Sequence, residues 1–272
     1  MCIRDSGTTA AKTAYVIANT GALANGPFAN VTTEADLKAV TGDLISGNAA
    51  TQTKNNLWMS GTDDITFSGT DGSVTVQLGF VAAKIELIVK DNRTNLTGGT
   101  IEITDENVVL LYAGKSGKFF GTTADKAAQT AFYSGDISYP DFQTGVATES
   151  AVLKDAVGAA FTANANGDVF NHFYTFGNDG TSKPTILAIQ SKRTVGGADE
   201  TIYYPIQFTV ADAGNTIEPG NAYTVTLTLN GDVSAGGGGG TTNPEQPLVK
   251  SQITVTVTAA TWLAKTVSKD FN

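Results

Sequence analysis

The chain has 272 residues, of which 41% are hydrophobic and only 16% are charged, with 30 glycines and a formal net charge of −9. This length fits one large or two modest domains, and low charge with abundant Thr, Val, Gly and Asn favours strands over helices. The negative charge argues against nucleic acid as a partner, because neutralising phosphates requires clustered Lys and Arg. No apolar run approaches the roughly 20 residues of a membrane-spanning helix.

The first six residues, Met1–Ser6 (MCIRDS), are interpreted as an artefact derived from a sequencing adapter, the alternative being a genuine start. The single cysteine, Cys2, falls inside this hexapeptide, so it carries no information about redox compartment or lipid attachment. We expect the natural N-terminus, with any signal sequence, to lie upstream.

The first half of the chain predicts an N-terminal β-sandwich over residues 7–118, with its first strands missing. Thr33–Leu44 is predicted as a helix in which Thr33 and Asp36 form a capping pair. A bend or bulge is expected at Gly79. The predicted strands are Thr13–Asn19, Ser73–Val89, Thr100–Thr104 and Val108–Tyr112.

The second half predicts a C-terminal β-sandwich over residues 119–272, with a short helix at Ala151–Ala160. Short strands separated by Gly, Asn, Asp or Pro are typical of sandwiches. These predicted strands are Asn171–Phe176, Thr185–Ser191, Thr201–Val210 and Ala222–Asn230. The sequence therefore predicts a mainly all-β fold of two tandem β-sandwich domains with one or two short helices.

The C-terminal region combines a linker signal with a strong strand signal. Residues 234–250 contain five consecutive glycines and a polar, Pro-containing stretch, which predicts a flexible linker. Residues 251–272 follow with alternating apolar positions. We interpret this region as a strand carried on a tether, the alternative being a wide loop between two strands of the same sandwich.

Signals for catalysis, metals or cofactors are weak. The single histidine, His172, lies in an aromatic strand segment without a nucleophile motif, so a packed or surface role is expected. The glycine run at 236–240 lacks the phosphate-loop pattern. The acidic pairs adjoin turn residues and lack calcium-loop spacing; they are Asp63–Asp64, Asp105–Glu106 and Asp199–Glu200. We predict no catalytic residue, no metal site, no cofactor and no enzymatic activity.

Several segments, taken in order, resemble the type V pilins, the major fimbrillin family of Bacteroidales. They are TAYVIANTG (13–21), VTTEADLKAV (31–40), NNLWMSG (55–61), VTVQLGFVAAKIEL (74–87), HFYTFGNDGTSKPTILAIQSK (172–192), ETIYYPIQF (200–208), NAYTVTLTLNG (221–231), NPEQP (243–247) and ITVTVTAATW (253–262). Each is a weak strand pattern, but the ordered set is specific. The basic residue often found near Gly79–Phe80 is missing, and the chain resembles an N-terminally truncated member.

The resemblance implies two transthyretin-like β-sandwich domains in a structural subunit of a surface fimbria, exported as an outer-membrane lipoprotein precursor. It implies that a protease removes an N-terminal strand and that the C-terminal strand of a neighbour fills the resulting groove, which is donor-strand exchange. The partners are then neighbouring fimbrial subunits in a homopolymer. The fibre would support adhesion, with host or bacterial surface glycans or proteins as further partners.

On this sequence, the resemblance implies that residues 251–272 are the donor segment. Apolar residues of this segment are expected to fill the groove: Ile253, Val255, Val257, Trp262, Leu263 and Val267. The pattern leaves open which part of the tail inserts deepest.

Two other functions are considered. The first is an accessory or tip adhesin that binds host glycan or protein, for which Tyr133, Tyr139 and Phe142 could form an aromatic platform. The second is a carbohydrate-processing enzyme, which would require two carboxylates converging in a cleft. Since a sandwich fold does not establish an activity, the structural subunit is the favoured interpretation.

Overall fold

The structure is a computed structural model of the chain. The residues that it describes are 12–20, 27–44, 57–69, 71–94, 101–120, 129–137, 147–156, 169–230, 240–246, 253–261 and 263–271. The predicted artefact at Met1–Ser6 lies outside them, as do Trp262, Tyr139, Phe142 and the parts of the predicted linker at 234–239 and 247–250.

The described residues form strands and one short α-helix, so the predicted all-β fold class is confirmed. The strands of the first half are β1 (Thr13–Ala18), β2 (Thr41–Asp43), β3 (Met59–Asp64), β4 (Thr66–Ser68), β5 (Asp71–Phe80), β6 (Ala83–Asp91), β7 (Ile101–Leu111), β8 (Ala113–Gly114) and β9 (Ser116–Lys118). Those of the second half are β10 (Phe132–Ser134), β11 (Ala147–Glu149), β12 (Lys154–Ala156), β13 (Val169–Thr175), β14 (Ile186–Val195), β15 (Ala198–Gln207), β16 (Asn221–Leu229), β17 (Ile253–Thr261) and β18 (Leu263–Phe271).

These strands assemble into three main sheets. Sheet 1 has the strand order β1-β3-β5-β18, with β4 also paired to β5. Sheet 2 has the order β13-β6-β16-β17, and sheet 3 has the order β12-β7-β14-β15. Two smaller sheets join β2 with β9 and β11-β10-β8.

The early helix, α1, spans Glu34–Ala39 and is shorter than predicted. The predicted capping pair is confirmed: the Asp36 amide donates to the Thr33 hydroxyl at 3.1 Å, and the Thr33 amide donates to the Asp36 carboxylate at 2.9 Å. The helix ends because Val40 adopts extended backbone, from which the chain enters β2. Strand pairing with β9 therefore takes the residues that the apolar spacing assigned to the helix.

The second predicted helix, at Ala151–Ala160, is wrong over its described part. Residues Ala151–Leu153 form a single 3₁₀ turn, and β12 follows at once. The chain stays extended there because β12 pairs with β7, and the fully buried Leu153 fixes the turn in the main core.

Sheet membership changes at residues 81–82, between β5 and β6, whereas the predicted domain boundary lies between residues 118 and 119. β5 belongs to sheet 1, whereas β6 pairs with β13 and β16 of the second half. β7 pairs with β14 along almost its whole length, so the strands predicted at 100–104 and 108–112 are one strand of the C-terminal sandwich. We propose that the two domains divide at Val81–Ala82, because long-range pairing outweighs chain order.

Sheets 2 and 3 pack face to face around the main core. Side chains of β6, β16, β7, β14 and β15 share one continuous apolar cluster. A second cluster, containing Tyr112, Phe132 and Ile137, covers the other face of sheet 3. As a result, all four residues from Val108 to Leu111 are fully buried, as expected of a central strand covered on both faces.

An aromatic cluster joins sheet 1 to the C-terminal sandwich. The Trp58 ring centroid lies 4.9 Å from that of Phe119 and 5.9 Å from that of Phe176. Gly42 and Gly117 face each other across the β2–β9 pair and cover these rings. A Cβ atom at Gly42 would lie 1.7 Å from the Trp58 ring, so this close approach requires glycine.

Candidate subunit-assembly site

The last strand of the chain lies at the edge of sheet 1. β18 pairs antiparallel with β5, from Leu263 opposite Gly79 to Phe271 opposite Gly72. The register shifts once, between Leu263 and Lys265, so the irregularity expected near Gly79 lies on the strand opposite this glycine. The tail thus pairs with the N-terminal sheet of its own chain.

β5 presents a row of buried positions to its partner strands. Val74, Val76 and Leu78 are buried, and the residues between them are exposed. These three side chains pack with Val16 of β1 in a small cluster separate from the main core. We call them the acceptor row. Their strict alternation is visible in the sequence, but nothing in the pattern identifies the strand that pairs with them.

The register fixes which tail residues lie opposite this row and its extension to Gly72. The positions hold two apolar residues and two lysines: Lys265 opposite Leu78, Val267 opposite Val76, Lys269 opposite Val74 and Phe271 opposite Gly72. Leu263 lies opposite Gly79, between two buried positions of β5. Val267 is the predicted donor residue that this register places opposite the acceptor row, and Phe271, which the prediction did not include, lies opposite Gly72.

The first part of the predicted donor segment lies in sheet 2 instead. β17 pairs antiparallel with β16, with Val255 opposite Leu227 and Val257 opposite Val225. Both tail valines are half-buried and pack against the main core, and Ile253 is the first residue of β17. β16 and β17 are thus neighbouring strands of one sheet, as the interpretation of a wide loop requires.

Part of the predicted flexible linker is docked. The Thr241 amide donates to the Tyr203 carbonyl at 2.9 Å, and the Tyr203 amide donates to the Thr241 carbonyl at 2.7 Å. Glu245 accepts hydrogen bonds from the Tyr112 hydroxyl and, at 3.1 Å, from Lys183 Nζ. Gln207 Nε2 donates to the Glu245 carbonyl at 2.6 Å. Residues 240–246 of the predicted flexible linker are therefore hydrogen-bonded to the rest of the fold, and we call them the anchor segment.

The remaining polar candidates serve local structure. His172 is exposed, and its ring meets the Tyr174 ring edge-on with 5.6 Å between the ring centroids. The Asp63–Asp64 pair bonds within sheet 1, and the Asp199–Glu200 pair faces cations across the β14–β15 hairpin. Within the described ranges, no group of three or more His, Cys, Asp or Glu side chains is arranged to hold a metal ion.

Tyr133 is buried and does not belong to an exposed aromatic platform. Its hydroxyl donates to both Asp43 carboxylate oxygens, at 2.8 and 2.9 Å. The pKa of Tyr133 is raised to about 12. Burial disfavours the charged phenolate, and the neighbouring Asp43 carboxylate repels it. This side chain therefore ties β10 to β2, and the platform hypothesis is wrong for this residue.

Arg93 is a buried cation that no sequence pattern indicated. Its Nε and Nη2 atoms donate to the two Asp91 carboxylate oxygens at 2.9 and 2.8 Å, and Nη1 donates to the Tyr204 hydroxyl at 2.9 Å. The Glu106 Oε1 atom lies 3.6 Å from Arg93 Nη2. Burial lowers the pKa of Arg93, but its bonds to Asp91 and Tyr204 outweigh burial and hold that pKa above its usual range.

Two family models match the chain. One, described as "FimA-like major fimbrial subunit protein, C-terminal domain", matches residues 82–262, and the other, "Major fimbrial subunit protein (FimA)", matches residues 3–104. The crystal structure of a protein from Bacteroides eggerthii is 63% identical over 94% of this chain and 79% of that chain, with a TM-score of 0.88. The chain belongs to the FimA-like major fimbrial subunit family.

Two structures from Parabacteroides distasonis share the fold of this FimA-like subunit. One is 16% identical, covers 93% of this chain and 84% of that chain, and has a TM-score of 0.60. The other is 17% identical, covers 95% and 79% respectively, and has a TM-score of 0.55. All three crystal structures are described as a "putative cell adhesion protein". No curated protein matches the chain.

Family membership establishes the general role. The chain is a structural subunit of a fimbrium, a surface fibre in which it assembles with other fimbrial subunits, and the family is structural rather than enzymatic. In the part of the chain that the structure describes, no helix combines the length and hydropathy needed to span a membrane.

Proposed function

We propose that this FimA-like subunit polymerises head-to-tail by donor-strand exchange, with β18 as the donor and β5 as the acceptor. In the fibre, β18 of one subunit would lie along β5 of the next. The observation that carries the proposal is the pairing of β18 with β5 at the edge of sheet 1. It favours residues 263–271 over 253–261 as the part of the tail that inserts.

The acceptor row explains why an incoming strand would bind in one register. Main-chain hydrogen bonds to a sheet edge give affinity, whereas alternate side chains give specificity. Directly opposite residues of an antiparallel pair share one face of the sheet, so Val267 would complete the apolar layer of Val74, Val76 and Leu78. A register slip of one residue would replace Val267 with a polar neighbour.

Repetition of this contact builds an open fibre. The donor and acceptor are different surfaces, so the contact is heterologous and extends into a filament when its rotation does not close a ring. β17 would remain in the sandwich of its own subunit, because Val255 and Val257 pack against that core. Each subunit would therefore retain its own β17, while its neighbour binds its β18.

Adhesion and the export route rest on the resemblance to the major fimbrillins. We propose that the assembled fibre supports adhesion and that the subunit reaches the surface as an outer-membrane lipoprotein precursor. Removal of an N-terminal strand by a protease would prepare the acceptor edge for the neighbouring tail.

The experiment that tests donor-strand exchange compares three variants of the full chain. Purified subunits are cycled through mild denaturant, concentrated, and scored by heat-resistant ladders on denaturing gels and by filaments in electron micrographs. We expect Val267→Asp to abolish ladders while leaving the subunit folded, since a charge then lies opposite Val76. Ser268→Asp is the matched control, because it lies opposite the exposed Thr75 and should retain ladders.

Val255→Asp distinguishes loss of assembly from loss of folding. This substitution places a charge opposite the buried Leu227 in sheet 2, so it should lower the urea midpoint of the subunit itself. Normal ladders from Val267→Asp, or equal loss of ladders from Ser268→Asp, would contradict the proposed pairing.

A further inference from the structure

We propose that the subunit, once the N-terminal strand has been removed, closes on itself before assembly, with its own β18 capping its own β5. This inference rests on the proposed function, since it concerns the same donor and acceptor. The structure contains the pairing within a single chain, over the full length of β18. The closed subunit would be a resting state from which fibre growth requires release of β18.

The short connection before β18 favours closure within one chain. A single residue separates Thr261, the last residue of β17, from Leu263, the first residue of β18. Two peptide links span at most about 7 Å, so β18 starts close to the end of β17. A strand on so short a tether has an effective concentration in the millimolar range. At micromolar subunit concentrations, the strand of another chain competes at a large disadvantage.

β17 and the anchor segment, which precede β18 in the chain, are held on the same subunit. β17 pairs with β16 over all nine of its residues, and the anchor segment is bonded to β15 through Thr241 and to Tyr112, Lys183 and Gln207 through Glu245. The end of β17 lies near the corner between sheets 1 and 2, since Ala260 lies opposite Ala222, which is paired to Lys84 at the start of β6. This geometry delivers β18 to the neighbouring end of β5.

The sequence of β18 favours its release from β5. Of the four β18 positions opposite the acceptor row and Gly72, two hold lysines, Lys265 and Lys269. Charged residues at such positions reduce the free energy that pairing gains, and natural edge strands use them to limit association. Exchange between chains replaces each contact with an identical one, so the subunit concentration decides which pairing is populated.

The test is a disulfide placed across the pair in a Cys2→Ser background. Gln77→Cys with Thr266→Cys joins directly opposite residues, and Gln77 is exposed, so the core is undisturbed. We expect oxidation to give a monomer cross-linked within the chain. Its fraction should stay constant over an approximately hundredfold range of micromolar concentration, because the reaction is intramolecular.

The control pairs Gln77→Cys with Ser268→Cys, two residues out of register, where the Cβ atoms are too far apart for an unstrained disulfide. A second pair, Thr75→Cys with Ser268→Cys, repeats the test if the first variant fails to fold. Covalent ladders that grow with concentration would overturn self-closure and support exchange between subunits. A folded variant with no cross-link of either kind would overturn the β18–β5 pairing, and with it the proposed function.

Discussion

Single residues decide how the C-terminal sandwich is held together, and Arg93 is the clearest case. Its side chain is fully buried, as is nearly all of Asp91, and the two form a bidentate pair completed by Tyr204. Such a pair contributes less than its contacts suggest, because both ions lose their hydration. Removing one partner is costly, since the other charge stays buried without compensation.

We expect Arg93→Met to lower the free energy of unfolding by about 3–5 kcal/mol, because it leaves the Asp91 carboxylate buried without its cationic partner. Equilibrium urea unfolding followed by circular dichroism measures the loss. The matched control is Arg193→Met, which removes a partly exposed guanidinium paired to Glu200. Surface pairs contribute about 0–1 kcal/mol, so similar losses from both variants would contradict the buried pair.

At the scale of elements, the anchor segment shows how a loop becomes part of the fold. Residues 240–246 lie beside β15, the last strand of sheet 3, and form two main-chain hydrogen bonds with Tyr203. A covered strand edge is less available for pairing with other chains. The anchor thus protects one edge of the sandwich and sets the point from which the tail continues.

We expect Glu245→Ala to release the anchor segment, because it removes the acceptor of the Tyr112 and Lys183 bonds. Amide exchange should accelerate at Thr241 and Tyr203, and the subunit should lose about 1–3 kcal/mol of stability. Thr242→Ala, in the same segment and exposed, is the control and should leave exchange unchanged. Unchanged protection in Glu245→Ala would show that the main-chain bonds hold the segment alone.

The sequence predicted where many strands and the helix cap lie, but it did not predict which strands pair with one another. The Thr33–Asp36 capping pair and the strand at Thr13–Asn19 depend on neighbouring residues, so local patterns were sufficient. The end of α1 was not predictable in this way, because it depends on pairing between β2 and β9, more than 70 residues apart. The domain boundary at 118–119 rested on chain order, whereas β6 and β7 pair with strands of the second half.

The candidate site shows the same division. Alternation identified the strand at 251–258 and the apolar positions of the tail, but both β17 and β18 satisfy that pattern. Only register separates them: Val257 lies opposite Val225 in the main sandwich, and Val267 lies opposite Val76 in sheet 1. The anchoring role of Glu245 left no local signal, because its partners lie 38 to 133 residues away.

At the scale of the whole molecule, the aromatic cluster determines whether the two sheet systems act as one body. Trp58 directly precedes β3 of sheet 1, and its ring contacts those of Phe119 and Phe176. Phe80, the last residue of β5, belongs to the main core as well. In the proposed fibre, force carried by β5 and β18 would pass through this junction, since both strands belong to sheet 1.

We expect Trp58→Ala to uncouple sheet 1 from the C-terminal sandwich, at a cost of about 3–5 kcal/mol for the buried ring. Hydrogen exchange read by mass spectrometry along a urea series follows peptides of each sheet separately. In the unaltered chain, peptides of sheets 1, 2 and 3 should lose protection together. In Trp58→Ala, peptides of sheet 1 should lose protection at lower urea, because the remaining cluster of Val16, Val74, Val76 and Leu78 is small.

The control for this experiment is Phe67→Ala in the same sheet. Phe67 lies in β4 and is 37% exposed, so its loss removes an aromatic ring without touching the junction. It should shift the urea midpoint little and leave the transitions coincident. Coincident transitions in Trp58→Ala would mean that β2–β9 pairing and the β5–β6 corner suffice to couple the sheets. Separate transitions in Phe67→Ala would place the weak point within sheet 1 itself, away from the aromatic junction.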